Sequence, residues 1–169
     1  MISKNIQDAF NKQINRELFS AYLYQAMAAN LAERGLDGFA NWFSIQAKEE
    51  VEHAMGFYNF LLDRGGKVEL DAIEKPVLGS TNVSDLFADA LEHERFVTAC
   101  INSLYKLTKD ENDNPSGLFL HWYIREQVEE ERNIEKILSL LALGGEDRSA
   151  LLELDKVLAN RQYQQQNIQ

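Results

Sequence analysis

A chain of 169 residues, 45% hydrophobic and 26% charged, has the composition of an ordinary globular protein and is long enough to bury one sizeable core. Its 17 Lys and Arg against 27 Asp and Glu leave a formal net charge of −10, which argues against nucleic acid and anionic membranes as partners and is compatible with cations. Cys100 is the only cysteine, so there is no disulfide framework and no cysteine cluster for zinc or iron–sulfur, and a lone thiol fits a cytoplasmic setting.

Met1-Ile2-Ser3-Lys4-Asn5 runs straight into an amphipathic pattern, without the apolar stretch of a signal peptide. No apolar run approaches the roughly 18 residues of a membrane span. Gly and Pro fall in bunches, with long stretches of helical periodicity between them. The pattern predicts α1 over 5–34 and α2 over 38–64, with Asp37 as the N-cap of α2 and Gly65 closing it. Residues 65–82 form a link far longer than usual loops. Beyond it, α3 is expected over 83–110, and Asn114 before Pro115 reads as the cap of α4, 115–143, closed by Gly144. A short α5 over 147–161 carries Leu151, Leu154 and Leu158 on one side, and the polar run Gln162-Tyr163-Gln164-Gln165-Gln166 is expected to fray.

The tight α1–α2 and α3–α4 connections imply two antiparallel pairs. The long link is either disordered or crosses the length of two helices. The expected fold class is therefore all-α: one domain over 1–169, an antiparallel four-helix bundle over 5–143 with one long crossover, plus a short C-terminal fifth helix.

Steps of three and four pick out one core-facing stripe per helix. The stripe of α1 is Phe10, Ile14, Glu17, Ala21, Tyr24, Ala28 and Leu31, and that of α2 is Phe39, Phe43, Gln46, Glu50, His53, Phe57 and Phe60. On α3 it is Val83, Phe87, Ala90, Glu94, Val97, Ile101 and Leu104, and on α4 Leu120, Tyr123, Gln127, Glu130, Ile134, Ile137 and Leu141. Every stripe is apolar at both ends and acidic near its middle. At ~1.5 Å per residue, both antiparallel pairs bring their acids to one level, some ~16–20 Å from the end of the bundle.

A single Glu at such a position usually marks register or reaches water, and a lone His on an apolar stripe is more often a satisfied core residue. Four acids at one level are another matter. An unpaired carboxylate in a low-dielectric core is penalised by several kcal/mol, and four cannot all ionise without cations. The stripes contain no Lys or Arg, so the positive charge must come from protons, from side chains reaching in, or from a metal. Glu50-x-x-His53 puts an oxygen and an imidazole one turn apart on one helical face, a donor set that suits iron, manganese or zinc.

At these residues the chain resembles the ferritin-like di-iron carboxylate family, in which two helices each give a Glu and two give Glu-x-x-His. Gln127-x-x-Glu130 departs from the symmetric pattern in the way of the bacterial-type non-haem ferritins, and Val51 stands where bacterioferritins carry a haem-ligating Met, so no haem is expected. The resemblance covers the whole chain. It implies a first iron site of Glu17, Glu50 and His53, with Glu50 bridging to a second iron held by Glu94 and Glu130, and Gln127 orienting a ligand beside them. It implies a third iron site of Glu49, Glu126 and Glu129, sharing Glu130; read from the residues alone, these three also suit a solvated acidic face. Tyr24 would hydrogen-bond a carboxylate or act in electron transfer, unless it is simply a core Tyr with a satisfied hydroxyl. Trp122 reads as packing, and His93 and His121 receive no role.

What the resemblance implies for function is a ferroxidase that oxidises Fe(II) to Fe(III) with dioxygen or peroxide and deposits ferric mineral for storage and detoxification. It further implies a hollow homo-oligomer of twenty-four subunits with α5 at an axis where four meet, although the leucine stripe of α5 could also fold back on its own subunit. Three rivals remain: a rubrerythrin-like di-iron peroxidase, for which Cys100 cannot supply the cysteine-rich iron domain; a mini-ferritin, whose site lies between subunits; and a non-enzymatic helical scaffold.

Overall fold

The computed structural model describes residues 2–168. Its elements are α1 (Lys4–Ala32), α2 (Asp37–Asp63), α3 (Val83–Asp110), α4 (Asn114–Gly144) and α5 (Arg148–Leu158), with no strand among the described residues. The expected bounds hold to within one to three residues at each end. No helix among the described residues is long and apolar enough to cross a membrane.

The caps differ from the sequence expectation at two places. Leu36, not Asp37, is the N-cap of α2 and gives no side-chain cap bond; Asp37 lies in the first turn, where its charge still favours the helix dipole. Asp113, not Asn114, caps α4 by accepting from the Ser116 amide, because Arg64 at the end of α2 fixes the Asp113 carboxylate with bonds of 3.1 and 3.2 Å. Gly65 closes α2 at φ +70 as expected, whereas α4 runs through Gly144 and turns at Gly145, φ +55.

The α1 helix packs against α2 and α3, and α3 against α4, while no close backbone approach joins α2 to α4 among the described residues. The long link is the crossover. It runs in extended form along α1, where Gln7 and Asn11 bind the backbone of Lys67 and Glu69, Asn15 donates to Ala72 O at 3.1 Å, and Arg34 reaches Thr81 O. Every stripe position is buried except Phe60, which is half-exposed because Leu61 takes the inward place at that end.

The core divides in two. One apolar cluster gathers Tyr24, Phe39, Phe43, Phe87 and Ile137; the other gathers Phe10, Phe57, Ile101, Phe119 and Tyr123. Each large side chain so buried contributes ~1.5–3 kcal/mol. Between the clusters lies a buried polar layer. Leu151, Leu154 and Leu158 of α5 pack back on the first cluster, so the apolar stripe of α5 is covered by its own chain. The tail after α5 is irregular but not frayed: its polar groups bond to α2 and α4, as described below.

Candidate metal centre

Four helices supply the polar layer: Glu17 from α1, Gln46, Glu50 and His53 from α2, Glu94 from α3, and Gln127 and Glu130 from α4, each at most 4% exposed. Buried apolar side chains fill the flanking stripe positions on both sides, so these groups face each other within the core.

Ligand atoms of Glu17, Glu50 and His53 lie within 4.8 Å of one another. A second group with the same spacing is His53, Glu126 and Glu130, so His53 stands at the junction of both. Glu17 Oε2, Glu50 Oε1 and His53 Nε2 are buried without a hydrogen-bond partner, and so is Gln46 Oε1. An unpaired buried polar atom costs about 1–3 kcal/mol, more for a charged one. Such atoms converging from two helices form a donor set that a cation would satisfy.

The remaining oxygens are held. Gln13 Nε2 donates to Glu17 Oε1 at 2.9 Å, Gln46 Nε2 to Glu130 Oε2 at 2.7 Å, and Gln127 Nε2 to Glu94 Oε2 at 2.9 Å. The Tyr24 hydroxyl donates to Glu94 Oε1, and the Tyr123 hydroxyl donates to His53 O at 2.8 Å. Trp122 stands edge-on to the His53 ring, centroids 5.4 Å apart.

Burial pushes all four carboxyls upward. Glu50 and Glu130 rise well above the ordinary carboxylate range, first by burial, then by the neighbouring charge of Glu94, with Glu17 adding to Glu50 and Glu50 to Glu130. Burial also raises Glu17 and Glu94, opposed at Glu17 by the His53 charge and then the Gln13 bond, and at Glu94 by the bonds from Tyr24 and Gln127. The direction of these shifts disfavours four bare charges in the layer and favours a cation or protons among them.

The structure brings Glu17, Glu50 and His53 together as the sequence suggests. It does not place Glu94 in either ligand group, and both its oxygens are engaged by Tyr24 and Gln127. Of the expected third-site residues, Glu49 is buried, Glu126 half-buried and Glu129 exposed, and all three line one cleft on the α2–α4 side. Arg161 already pairs with Glu49 at 2.7 Å. Sequence reasoning missed Gln13, whose only signal was its place one turn before Glu17, and gave Gln46 no role. His93 is half-buried and bonded to Ser20 Oγ at 2.7 Å, its imidazole pushed down to about 4 by burial.

Comparison with known proteins fits this layout. Residues 7–143 match the family model of the ferritin-like domain. The chain is 37% identical over 166 residues to the bacterial non-heme ferritin of Staphylococcus aureus (strain MRSA252), covering 98% of this chain and 100% of that one. An open pore ferritin from the hyperthermophilic archaeon Archaeoglobus fulgidus superposes with a TM-score of 0.94 at 44% identity, covering 95% of this chain and 98% of that chain. A humanized archaeal ferritin gives 0.96 at 42% identity, covering 98% and 100%.

Proposed function

The chain belongs to the ferritin family, and on that premise we propose that it binds Fe(II) as substrate at the buried carboxylate layer, oxidises it and stores the Fe(III) product. The observation that carries this reading is the convergence of unpartnered Glu17 Oε2, Glu50 Oε1 and His53 Nε2 in a core whose stripes hold no Lys or Arg.

In this reading Glu17, Glu50 and His53 hold one iron, Glu50 reaches towards a second, and Glu130 holds that second iron. Glu94 joins it once the Tyr24 hydroxyl yields Oε1. Gln127 keeps the Glu94 carboxylate oriented, and Gln13 and Gln46 do the same for Glu17 and Glu130. Hard anionic oxygens stabilise Fe(III) over Fe(II) and so favour oxidation. Two Fe(II) give one electron each to dioxygen, which takes up two protons and leaves as hydrogen peroxide; peroxide as the oxidant takes two electrons and two protons and leaves as water.

Glu49, Glu126 and Glu129 would take a third iron on the way out of the centre. Storage needs an enclosed volume that one bundle lacks; in this reading the functional unit is the hollow homo-oligomer of twenty-four subunits that the family resemblance implies, placed in the cytoplasm. An apolar groove of about 600 Å³ along α1 and α2, lined by Leu18, Tyr22 and Val51, suits contact with a second copy. No haem is proposed, because Val51 occupies the position where bacterioferritins carry a haem-ligating Met.

The test loads metal-free protein with Fe(II) anaerobically, admits oxygen and follows ferric absorbance. Glu17→Ala and His53→Ala are expected to slow oxidation by more than about tenfold. Unchanged rates in both variants would defeat the assignment. A scaffold without metal chemistry predicts no iron-dependent oxygen uptake in any of these proteins.

A further inference from the structure

The seam between α2 and α4 has no close backbone approach between those two helices among the described residues; α5 packs on both of them at one end, and the C-terminal tail lies across the rest. Asn41 Nδ2 holds the start of the tail through Leu158 O and Arg161 O, at 3.2 and 3.0 Å. Further along, the Tyr163 hydroxyl and the Gln166 amide both donate to the Glu52 carboxylate, and Ile168 reaches the second apolar cluster. Under this strap is a cleft of about 450 Å³ lined by Glu49, Glu126 and Glu129. The Arg161 guanidinium enters it, pairing with Glu49 Oε2 at 2.7 Å, donating to Trp42 O at 3.2 Å and lying over the Trp42 ring, 4.9 Å from its centroid. Among the described residues, Arg161 is the one Lys or Arg that forms an ion pair with any of the seven glutamates assigned to iron.

We propose that the tail is a strap over the acidic cleft beside the metal centre, with Arg161 as a displaceable counter-ion that occupies Glu49 until a cation leaving the centre takes its place. The inference rests on the functional reading above. Three features support it. A guanidinium stays charged at any accessible pH, so it cannot leave by losing a proton, only by exchange for another cation. Its pair with Glu49 is partly open to solvent, 23% exposed on the arginine side, where a single-charged pair is weak and a multivalent ion competes well. Apart from Ile168, which packs on the second apolar cluster beyond the cleft, the other strap contacts are hydrogen bonds from polar side chains and one amide, which water replaces readily when the tail lifts.

Exchange at Glu49 couples the two events. Whatever affinity a cation loses by evicting Arg161, it regains when Arg161 is absent, and an occupied cleft weakens the hold on the tail by the same factor. The strap thus sets how readily the cleft fills relative to the buried layer, which Arg161 does not touch. It makes Arg161 a positioning and specificity-setting residue for transfer, not for oxidation.

The test titrates metal-free full chain with Zn(II), a redox-inert probe, by calorimetry. Arg161→Gln is expected to tighten the weaker class of sites about fivefold or more while leaving the tight class unchanged. Arg161→Lys, which keeps the charge, is expected to stay close to the parent, and adding Glu49→Gln to Arg161→Gln is expected to abolish the gain. Identical isotherms for Arg161→Gln and parent, or a gain that survives Glu49→Gln, would overturn the proposal. Glu17→Ala separates the two levels of inference. If it removes tight Zn(II) binding while Arg161→Gln changes nothing, the strap fails alone. If tight binding is indifferent to Glu17, the functional reading fails and the strap with it.

Discussion

The hydroxyl of Tyr24 on α1 donates to Oε1 of Glu94 on α3, so two helices that meet across the bundle are tied at the level of the carboxylate layer. Gln127 takes the other oxygen of Glu94 at 2.9 Å. Of the four central acids, Glu94 is the one whose two oxygens are both occupied, and it lies outside the two ligand groups. Tyr24→Phe should therefore leave Glu94 Oε1 buried and unpaired in the metal-free protein, a loss of about 1–3 kcal/mol. With cation bound, Glu94 gains a new partner and the loss should shrink. Melting with and without Zn(II) measures both, and an equal loss in the two states would mean that Glu94 never turns to the metal.

Without bound metal, stability should also depend on pH in a direction set by the buried carboxyls. Glu50 has its carboxyl raised well above 4.5 by burial, then by Glu94 and Glu17, so the folded state holds its proton more tightly than the unfolded chain does. A group of this kind contributes stability below about 4.5 and loses it as pH rises through the folded-state value. Metal-free parent should accordingly weaken between pH 5 and pH 8, whereas the metal-loaded protein, with the protons replaced, should not. Glu50→Gln keeps the shape and removes the titration. It should be more stable than metal-free parent at pH 8 by about 1–3 kcal/mol and closer to it at pH 5. Thermal melts of the two proteins across that window check the sign, and a variant weaker than the parent at pH 8 would show that Glu50 is not burying an uncompensated charge.

The fold and the carboxylate layer were legible in the sequence because both are one-dimensional patterns. Burial of a helix against three others demands an apolar residue every three or four positions, and an acid on that stripe stands out whatever its partner. Glu17, Glu50, Glu94 and Glu130 needed no knowledge of one another to be noticed. Pairings between distant segments leave no such mark. Asp113 rather than Asn114 caps α4 because Arg64, on another helix, holds it in place. Gln162 to Gln166 read locally as a tail that frays, and only the positions of Glu52 and Glu126 on α2 and α4 show where Gln166 docks. Gln46 carries no charge to betray that it donates to Glu130. The Glu94–Tyr24 bond depended on rotamer choice between helices, which periodicity does not encode.

Gly38 illustrates the same limit and yields a further test. In the sequence it is one of a pair of glycines marking the α1–α2 turn, yet its backbone conformation is helical and needs no glycine. The reason for it is on α5. A Cβ at Gly38 would stand 1.7 Å from Asp155 O and 2.5 Å from Asp155 C, backbone atoms that cannot turn aside. This close approach lets Asp155 accept a hydrogen bond from the Phe39 amide at 2.9 Å, satisfying one of the free N–H groups of the first turn of α2, which has no side-chain cap of its own. Gly38→Ala should push α5 off α2, lose that bond and uncover Leu151, Leu154 and Leu158. The overpacking penalty is about 1–3 kcal/mol, seen as a fall in melting temperature of ~2–4 °C per kcal/mol for a chain of this size. Hydrogen exchange in α5 should accelerate while the central layers of α1 and α3 stay protected, because α5 packs at the outside of the first apolar cluster and does not touch the carboxylates. Protection of α5 equal to that of the parent, with an unchanged melting temperature, would mean that the contact yields at no cost and that Gly38 serves only the turn.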